Sequence, residues 1–149
     1  MTVRMSEPAW SLHPQLKNDT APVGDLALSR LLAINDADYP WLVLVPRRAG
    51  ASEIADLGDD AARLMAEIVQ VSRLLKEVTR CDKLNIGAIG NVVPQLHVHI
   101  VGRRKHDPLW PKPVWGATQR AGETAAFARL LSAIRDGLGP ALRPVAAEG

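Results

Sequence analysis

The segment from Gln95 to Ile100 constrains the fold of this chain more than any other. Polar side chains occupy positions 95, 97 and 99, and apolar side chains occupy positions 96, 98 and 100. Successive side chains of a strand point to opposite faces of the sheet, so this alternation predicts a strand over residues 95–101. One face belongs to a core. The other carries the imidazoles of His97 and His99.

Apolar patterns in the rest of the chain predict the elements around that strand. Strands are expected over 26–34, 41–45 and 83–89, with a turn at 35–38 joining the first two as a hairpin. A helix of roughly twenty residues should begin at Asp59 or Asp60, and a second should cover 125–138. The apolar face of the first, longer helix repeats at helical spacing through Leu64, Ile68, Val71, Leu75 and Val78.

The order of these elements predicts an α+β fold. Two hairpin-like pairs favour an antiparallel sheet with a helix on one face, because parallel neighbours require a crossover between them. The 149 residues fit one domain. Residues 1–24 are expected to form an irregular arm with a short helix near 14–18, and residues 139–149 a flexible tail.

Charge and cysteine content narrow the functional classes. The formal net charge of +2 gives no general argument for binding nucleic acid. Two basic clusters, Arg47–Arg48 and Arg103–Lys105, are either phosphate contacts or solvated strand ends. Cys81 is the one cysteine and excludes a disulfide within the chain. With no apolar core of a secretion signal in residues 1–8 and no bilayer-length apolar run, we expect a cytoplasmic protein without a membrane partner.

The two imidazoles at positions 97 and 99 suggest catalysis. Alternate residues of a strand lie about 6.6 Å apart, so both rings can face one phosphate or phosphoanhydride. Imidazole is a usable nucleophile near neutral pH and, when protonated, a proton donor. The turn at Gly90–Asn91 precedes the strand and can present backbone N–H groups to an anion.

Two other interpretations of these histidines stay open. The strand can be a solvated surface that happens to carry them. Alternatively, His97 and His99 can ligate a metal ion with His106 as a third ligand, although no Cys pair or His-Glu-x-x-His motif supports such a site. We expect no metal or other cofactor, and surface positions for His13 and His106.

The sequence around these histidines resembles the signature of the histidine-triad (HIT) superfamily, which is His-φ-His-φ-His-φ-φ with φ apolar. The resemblance extends over residues 26–103, with a further likeness to a bacterial subgroup at 110–116. It is carried by Asn85, Gly90–Asn91, the run 94–103, and the strand 39–47 that contains Pro46. It implies a HIT-like fold with an antiparallel sheet of about five strands, one long packed helix and a C-terminal helix.

The resemblance also implies a function and the residues that perform it. The middle histidine, here His97, attacks the α-phosphorus of a nucleoside phosphoanhydride or phosphoramidate, for example a dinucleoside polyphosphate, and forms a nucleotidyl-histidine that water hydrolyses. His99 contacts the phosphate and assists the leaving group, and Gln95 completes the triad. Further implied features are a homodimer and a set of substrate-binding residues: Asn85, Gly90, Asn91, Asn35 and Asp36.

Three positions depart from the family pattern. Gln95 replaces the first triad histidine, Trp41 replaces an upstream histidine, and Val92 replaces a phosphate-contacting Ser or Thr. Glutamine donates and accepts hydrogen bonds but carries no titrating proton. Positions 41 and 95 are expected to lie near each other. The departures leave a second hypothesis open, a nucleotide-binding or regulatory domain that has lost turnover.

Overall fold

A computed structural model describes residues 9–146 of the chain. Three α-helices and five strands make up half of this part, and a 3₁₀ turn follows both β3 and α3. In chain order the helices and strands are α1 (Pro14–Asp19), β1 (Ala21–Asp25), β2 (Ser29–Ile34), β3 (Trp41–Pro46), α2 (Asp60–Thr79), β4 (Lys83–Gly87), β5 (Val98–Arg103) and α3 (Thr124–Leu138). No helix of residues 9–146 combines the length and apolarity needed to cross a bilayer.

The five strands form one antiparallel sheet in the order β1-β2-β3-β5-β4. The predicted α+β class, with an antiparallel sheet, a long helix and a C-terminal helix, is confirmed. The last strand in sequence, β5, is inserted between β3 and β4 and is therefore paired on both edges. This central position gives the histidine-bearing segment a rigid support.

The alternation in β5 divides the sheet into two faces. Val98 and Ile100 point into the larger core, which α2 and α3 cover. His99, Val101 and Arg103 point to the opposite face, where a second apolar cluster packs under the N-terminal segment and the loop after β5. Burial of each large apolar side chain contributes about 1.5–3 kcal/mol. The two cores thus fix the sheet on both sides.

The long helix follows the predicted periodicity. Leu64, Ile68, Val71 and Leu75 are all buried on its inner face. Arg80 ends the helix in the left-handed conformation, with its N–H donating to the carbonyl of Lys76. The helix therefore has the length and the buried face that the sequence indicated.

Two strands begin later than the sequence predicted. The first hairpin strand begins at Ser29 and not at Leu26, because the Leu26 N–H donates to the Ser29 carbonyl in a turn. The last strand begins at Val98 and not at Gln95, since the Leu96 N–H bonds to the Ala51 carbonyl outside the sheet. Local hydrogen bonds override the alternating pattern at both ends.

The expected irregular segments contain more structure than their proline content suggested. The short helix predicted near 14–18 is present as α1, and strand β1, which was not predicted, begins at Ala21 and ends at Asp25. Pro14 occupies the first turn of the helix and Pro22 an edge strand, where the missing N–H costs little. In the expected tail, Arg143 exchanges two backbone hydrogen bonds with Asp25, at 2.8 and 2.9 Å. Residues 1–8 and 147–149 of the two segments lie outside the described residues.

Candidate active site

A cavity of about 380 Å³ opens on the face of the sheet opposite α2. Strands β3 and β5 form its floor, α1 forms one wall, the turn at residues 89–93 a second, and the segment 114–119 a third. His97 and His99 both line it. The sequence prediction that one face presents two imidazoles to a common site is thus matched by the geometry.

The ring of His97 is held by a backbone group. Its Nδ1 lies 2.7 Å from the carbonyl oxygen of Gln95, and the ring is 7% exposed. A carbonyl oxygen only accepts, so Nδ1 carries the proton in this contact. In the neutral ring the lone pair therefore resides on Nε2, which has no hydrogen-bond partner within residues 9–146. This is the protonation state that a nucleophilic imidazole requires.

The ring of His99 is held by a different kind of group. Trp41 Nε1 donates to His99 Nδ1 at 3.0 Å, so the proton of the neutral ring is on Nε2. His97 lies against the ring with centroids 4.9 Å apart, and Trp115 does so at 5.8 Å. Burial lowers the pKa of His99 from 6.5 to about 4, and the neighbouring His97 adds to the effect. His99 is therefore neutral at pH 7.

The turn before β5 contributes backbone donors. Gly90 has φ of +64°, a conformation that favours glycine. Gly90 and Asn91 line the cavity beside His97, and their N–H groups form no hydrogen bond within the described part of the chain. No Lys or Arg is among the described residues that line the cavity. Among the described lining residues, the donors available to an anion are therefore backbone and imidazole N–H groups and the side-chain amides of Asn91 and Gln119.

Gln95 is placed differently from the two histidines. Its side-chain Nε2 donates to the Ser11 carbonyl at 2.8 Å, and its Oε1 accepts from the His13 N–H at 2.8 Å. It does not line the cavity. His13 caps α1, accepting from the N–H of Gln15 at 3.1 Å. The residue at the first triad position therefore fastens the N-terminal segment that forms one cavity wall.

The turn at Asn35–Asp36 lies at a different cavity, of about 840 Å³, beside the start of α3. The Asn35 amide is paired with the backbone of Gly122, and Asp36 Oδ1 accepts from the N–H groups of Asp38 and Tyr39. The structure does not bring these two predicted substrate-binding residues to the histidines. Their polar groups stabilise the connection between β2 and β3.

Asn85 belongs to a buried polar network and not to the cavity lining. Its Oδ1 accepts from Arg103 Nη1 at 2.8 Å. The Arg103 guanidinium is 1% exposed in total and pairs with both carboxylate oxygens of Asp107, at 2.7 and 2.9 Å. The hydrogen bond from Arg103 holds the pKa of Asp107 below its usual value. Arg103 is thus neither a phosphate contact nor a solvated strand end, the two interpretations of its cluster.

The other three arginines singled out in the sequence also have partners in the fold, whereas Lys105 is exposed. Arg47 donates to the carbonyls of Leu26 and Ala27, and Arg48 pairs with Asp60 at 2.6 Å. Arg104 donates to the Thr79 carbonyl at 2.6 Å. These arginines bind the ends of strands to neighbouring turns and helices.

Three cavity residues were missed or left undecided by sequence reasoning. Gln15 and Asp19 of α1 line the cavity, and Gln15 Nε2 donates to Asp19 Oδ2 at 2.8 Å. Trp115 packs against His99, whereas the other loop tryptophan, Trp110, lies over Arg103. The sequence predicted a short helix near 14–18 but gave no signal for which of its side chains face a cavity, and no local signal distinguishes the two tryptophans. Trp41, which the sequence marked only as a departure from the family pattern, contacts His99. Gln95, the other departure expected near it, precedes β5 and contacts residues 11–13.

Metal ligands were considered as an alternative use of the histidines. Within residues 9–146, no group of three or more His, Cys, Asp or Glu side chains is arranged to hold a metal ion. His106 is exposed in the turn after β5 and does not line the cavity. The third ligand of that hypothesis is therefore not at the site.

Comparisons with known proteins agree with this geometry. A family model described as the HIT domain matches residues 15–106. A solved histidine triad protein of Bradyrhizobium japonicum is 56% identical with a TM-score of 0.86, and the match covers 89% of this chain and 100% of the other. One from Sinorhizobium meliloti is 40% identical, with a TM-score of 0.83 and coverage of 87% and 97%. One from Marinobacter aquaeolei is 36% identical, with a TM-score of 0.82 and coverage of 91% and 97%.

No protein of curated function matches the chain. The family model nevertheless spans more than half of the sequence, and its matched residues include both histidines of the cavity. The chain belongs to the HIT, or histidine triad, family.

Proposed function

We propose that this protein is a nucleotide hydrolase or nucleotidyl transferase that cleaves nucleoside 5′-phosphoanhydrides or phosphoramidates through a covalent adduct on His97. One observation carries the proposal. His97 Nδ1 is committed to the Gln95 carbonyl at 2.7 Å, which leaves the Nε2 lone pair of a cavity-lining ring without a partner among the described residues. A surface histidine has no need of this arrangement, whereas a nucleophile does.

In the first step, His97 Nε2 attacks the α-phosphorus and an N–P bond forms. The bond from phosphorus to the leaving group breaks, and the leaving group takes the electron pair. The ring then carries positive charge, which the Gln95 carbonyl stabilises through the Nδ1–H contact. Attack of water in the second step breaks the N–P bond, returns the electron pair to Nε2 and yields the nucleoside monophosphate. The proton of the water passes to solvent.

The phosphoryl oxygens are bound by neutral donors in this scheme. His99 Nε2–H and the N–H groups of Gly90 and Asn91 are adjacent to His97 along the cavity. Fixed N–H donors in a partly closed cavity stabilise developing negative charge more strongly than water does. The nucleoside part fits between α1 and Trp115, where the polar wall residues are Gln15, Asp19, Thr20 and Gln119.

Intact mass spectrometry tests the proposal. Wild-type protein is mixed briefly with a panel of adenosine and guanosine phosphoanhydrides and phosphoramidates, then quenched at alkaline pH to preserve phosphohistidine. We expect a mass gain of one nucleotidyl group on the wild type and none on His97→Asn. Nucleotide binding without any adduct or turnover across the panel contradicts the enzyme and favours the binding-only domain.

We also propose that two copies pair through β4. This strand is the last of the sheet, and Ile86 on it is 47% exposed. An exposed apolar edge strand is a template for pairing with another chain. We expect light scattering after size exclusion to give twice the 16.1 kDa chain mass, and Ile86→Lys to give one chain mass. A wild-type monomer at high protein concentration contradicts the pairing.

A further inference from the structure

The contact between Trp41 and His99 is a buried hydrogen bond as well as a packing contact. The two residues lie on neighbouring strands and on one face of the sheet, since Trp41 pairs with Val101 and Val43 with His99. Trp41 is 2% exposed and His99 is 9% exposed, so water does not compete for the hydrogen bond. The indole N–H only donates, and its partner must present a lone pair at Nδ1.

We propose that Trp41 is a positioning residue that keeps His99 neutral, with its proton on Nε2, and thereby restricts the enzyme to leaving groups that depart without a proton. This inference rests on the proposed function and selects within it. Phosphoanhydrides are the favoured class, and phosphoramidates of alkyl amines are disfavoured.

Protonation of His99 requires a second N–H at Nδ1, directed at the indole N–H of Trp41. The two donors oppose each other, and the hydrogen bond of 3.0 Å is lost. Nearby groups do not offset this cost. Trp115 presents an edge-on ring from the 114–119 segment, and Gly87 of β4, paired with His99, has no side chain.

The titratable groups around the cavity also favour a neutral His99. Among the described lining residues they are His97, His99 and Asp19. His97 disfavours a second positive charge beside it, and Asp19 of α1 is hydrogen-bonded to Gln15. The low pKa of His99, about 4 as a result of burial and of His97, agrees with the geometry.

The leaving group decides what a neutral His99 can support. When the P–O bond of a phosphoanhydride breaks, the oxygen keeps the electron pair and departs as a phosphate anion. When the P–N bond of an alkyl phosphoramidate breaks, the nitrogen must gain a proton to depart as an amine. His99 Nε2–H stabilises a phosphoryl oxygen by hydrogen bonding, but a neutral imidazole does not release that proton at pH 7. Among the described residues that line the cavity, none is then available to protonate the amine.

Nitrogen NMR of the histidine rings tests the first half of the inference without any substrate. In ¹⁵N-labelled wild-type protein we expect His99 Nδ1 to have the shift of an unprotonated nitrogen from pH 8 down to pH 5.5. Trp41→Phe removes the N–H, so His99 should exchange between tautomers and titrate at higher pH. Trp115→Phe is the matched control, because the Trp115 ring is also 5.8 Å from His99 but its Nε1 has no hydrogen-bond partner in the described part of the chain.

Single-turnover kinetics at saturating substrate test the second half. The wild type should cleave a dinucleoside polyphosphate at least about 10-fold faster than the adenosine phosphoramidate of a primary alkyl amine. Trp41→Phe should reduce that ratio at least about 10-fold. Trp115→Phe alters the wall that contacts the nucleoside part shared by both substrates, so it should change the two rates alike and preserve the ratio.

Either of two results overturns the inference: a wild-type His99 that is protonated on Nδ1 or titrates near 6.5, or a leaving-group ratio that Trp41→Phe leaves unchanged. The wild-type spectrum decides the first even if Trp41→Phe does not fold. Absence of any adduct on His97 refutes the proposed function separately, since the tautomer of His99 is read without turnover.

Discussion

Replacement of His97 by glycine is expected to lower kcat/KM for a nucleoside phosphoanhydride by at least about 10⁴-fold, because the nucleophile is removed. Nucleotide binding should change little, since the Gly90–Asn91 turn and His99 remain. The glycine leaves room for a free imidazole between the Gln95 carbonyl and the substrate. We therefore expect added imidazole to restore turnover in a concentration-dependent manner. Titration calorimetry measures the Kd of the nucleotide for the variant and the wild type.

The control for this experiment is His99→Gly, in which the nucleophile is intact. Imidazole should not restore the activity of that variant to the same extent, because His99 has its Nδ1 bound to Trp41 and acts by hydrogen bonding alone. Wild-type rates in His97→Gly without imidazole would exclude the covalent mechanism. If imidazole restored activity in His99→Gly but not in His97→Gly, the nucleophile would be His99.

Replacement of Arg103 by methionine is expected to destabilise the fold by about 3–5 kcal/mol, which corresponds to a fall of roughly 6–20 °C in Tm. The reason is the carboxylate left behind. The Asp107 side chain is 3% exposed and also accepts from the N–H groups of Arg104, Leu109 and Trp110. Urea unfolding monitored by tryptophan fluorescence measures the loss.

Two comparisons isolate the buried charge as the cause. Arg63→Met breaks an ion pair with Asp60 whose arginine is 69% exposed, and it should cost less than about 1 kcal/mol. The double variant Arg103→Met/Asp107→Asn should be more stable than Arg103→Met alone, because the unpaired carboxylate is gone. Equal losses in Arg103→Met and Arg63→Met would show that burial adds nothing to this ion pair.

The pH dependence gives an independent check. Arg103 depresses the pKa of Asp107, so the pair contributes its stability above the unfolded carboxyl pKa and loses it as pH falls through the folded value. In Arg103→Met the buried carboxyl is without its partner and its pKa rises. The stability difference between wild type and Arg103→Met should therefore shrink as the pH falls from 7 toward 4.

The features that depend on a local pattern could be predicted from the sequence. The periodic face of α2 and the alternation of 96, 98 and 100 predicted buried faces, because such periods have one geometric solution. The alternation also brought His97 and His99 to one cavity. Local pattern therefore identified the central pair of the site.

Features that depend on partners distant in the chain could not be predicted from the sequence. Gln95 is bound to Ser11 and His13, more than eighty positions away along the chain. Arg103 became a buried residue because Asp107, Asn85 and the rings of Tyr39 and Trp110 surround its guanidinium. A sequence pattern carries no record of such pairings, so the wall of the cavity and the polar network emerge only from the fold.

The two hydrogen bonds of Gln95 constrain which side chains can replace it at position 95. The amide places a donor and an acceptor side by side, and they engage the carbonyl of Ser11 and the N–H of His13 as a neighbouring strand would. The two nitrogens of an imidazole point apart, so one histidine ring cannot make both contacts. A histidine at position 95 would therefore leave the backbone of residues 11–13 with at most one of these two hydrogen bonds. Glutamine at this position thus ties the path of residues 11–13 to the segment that precedes β5.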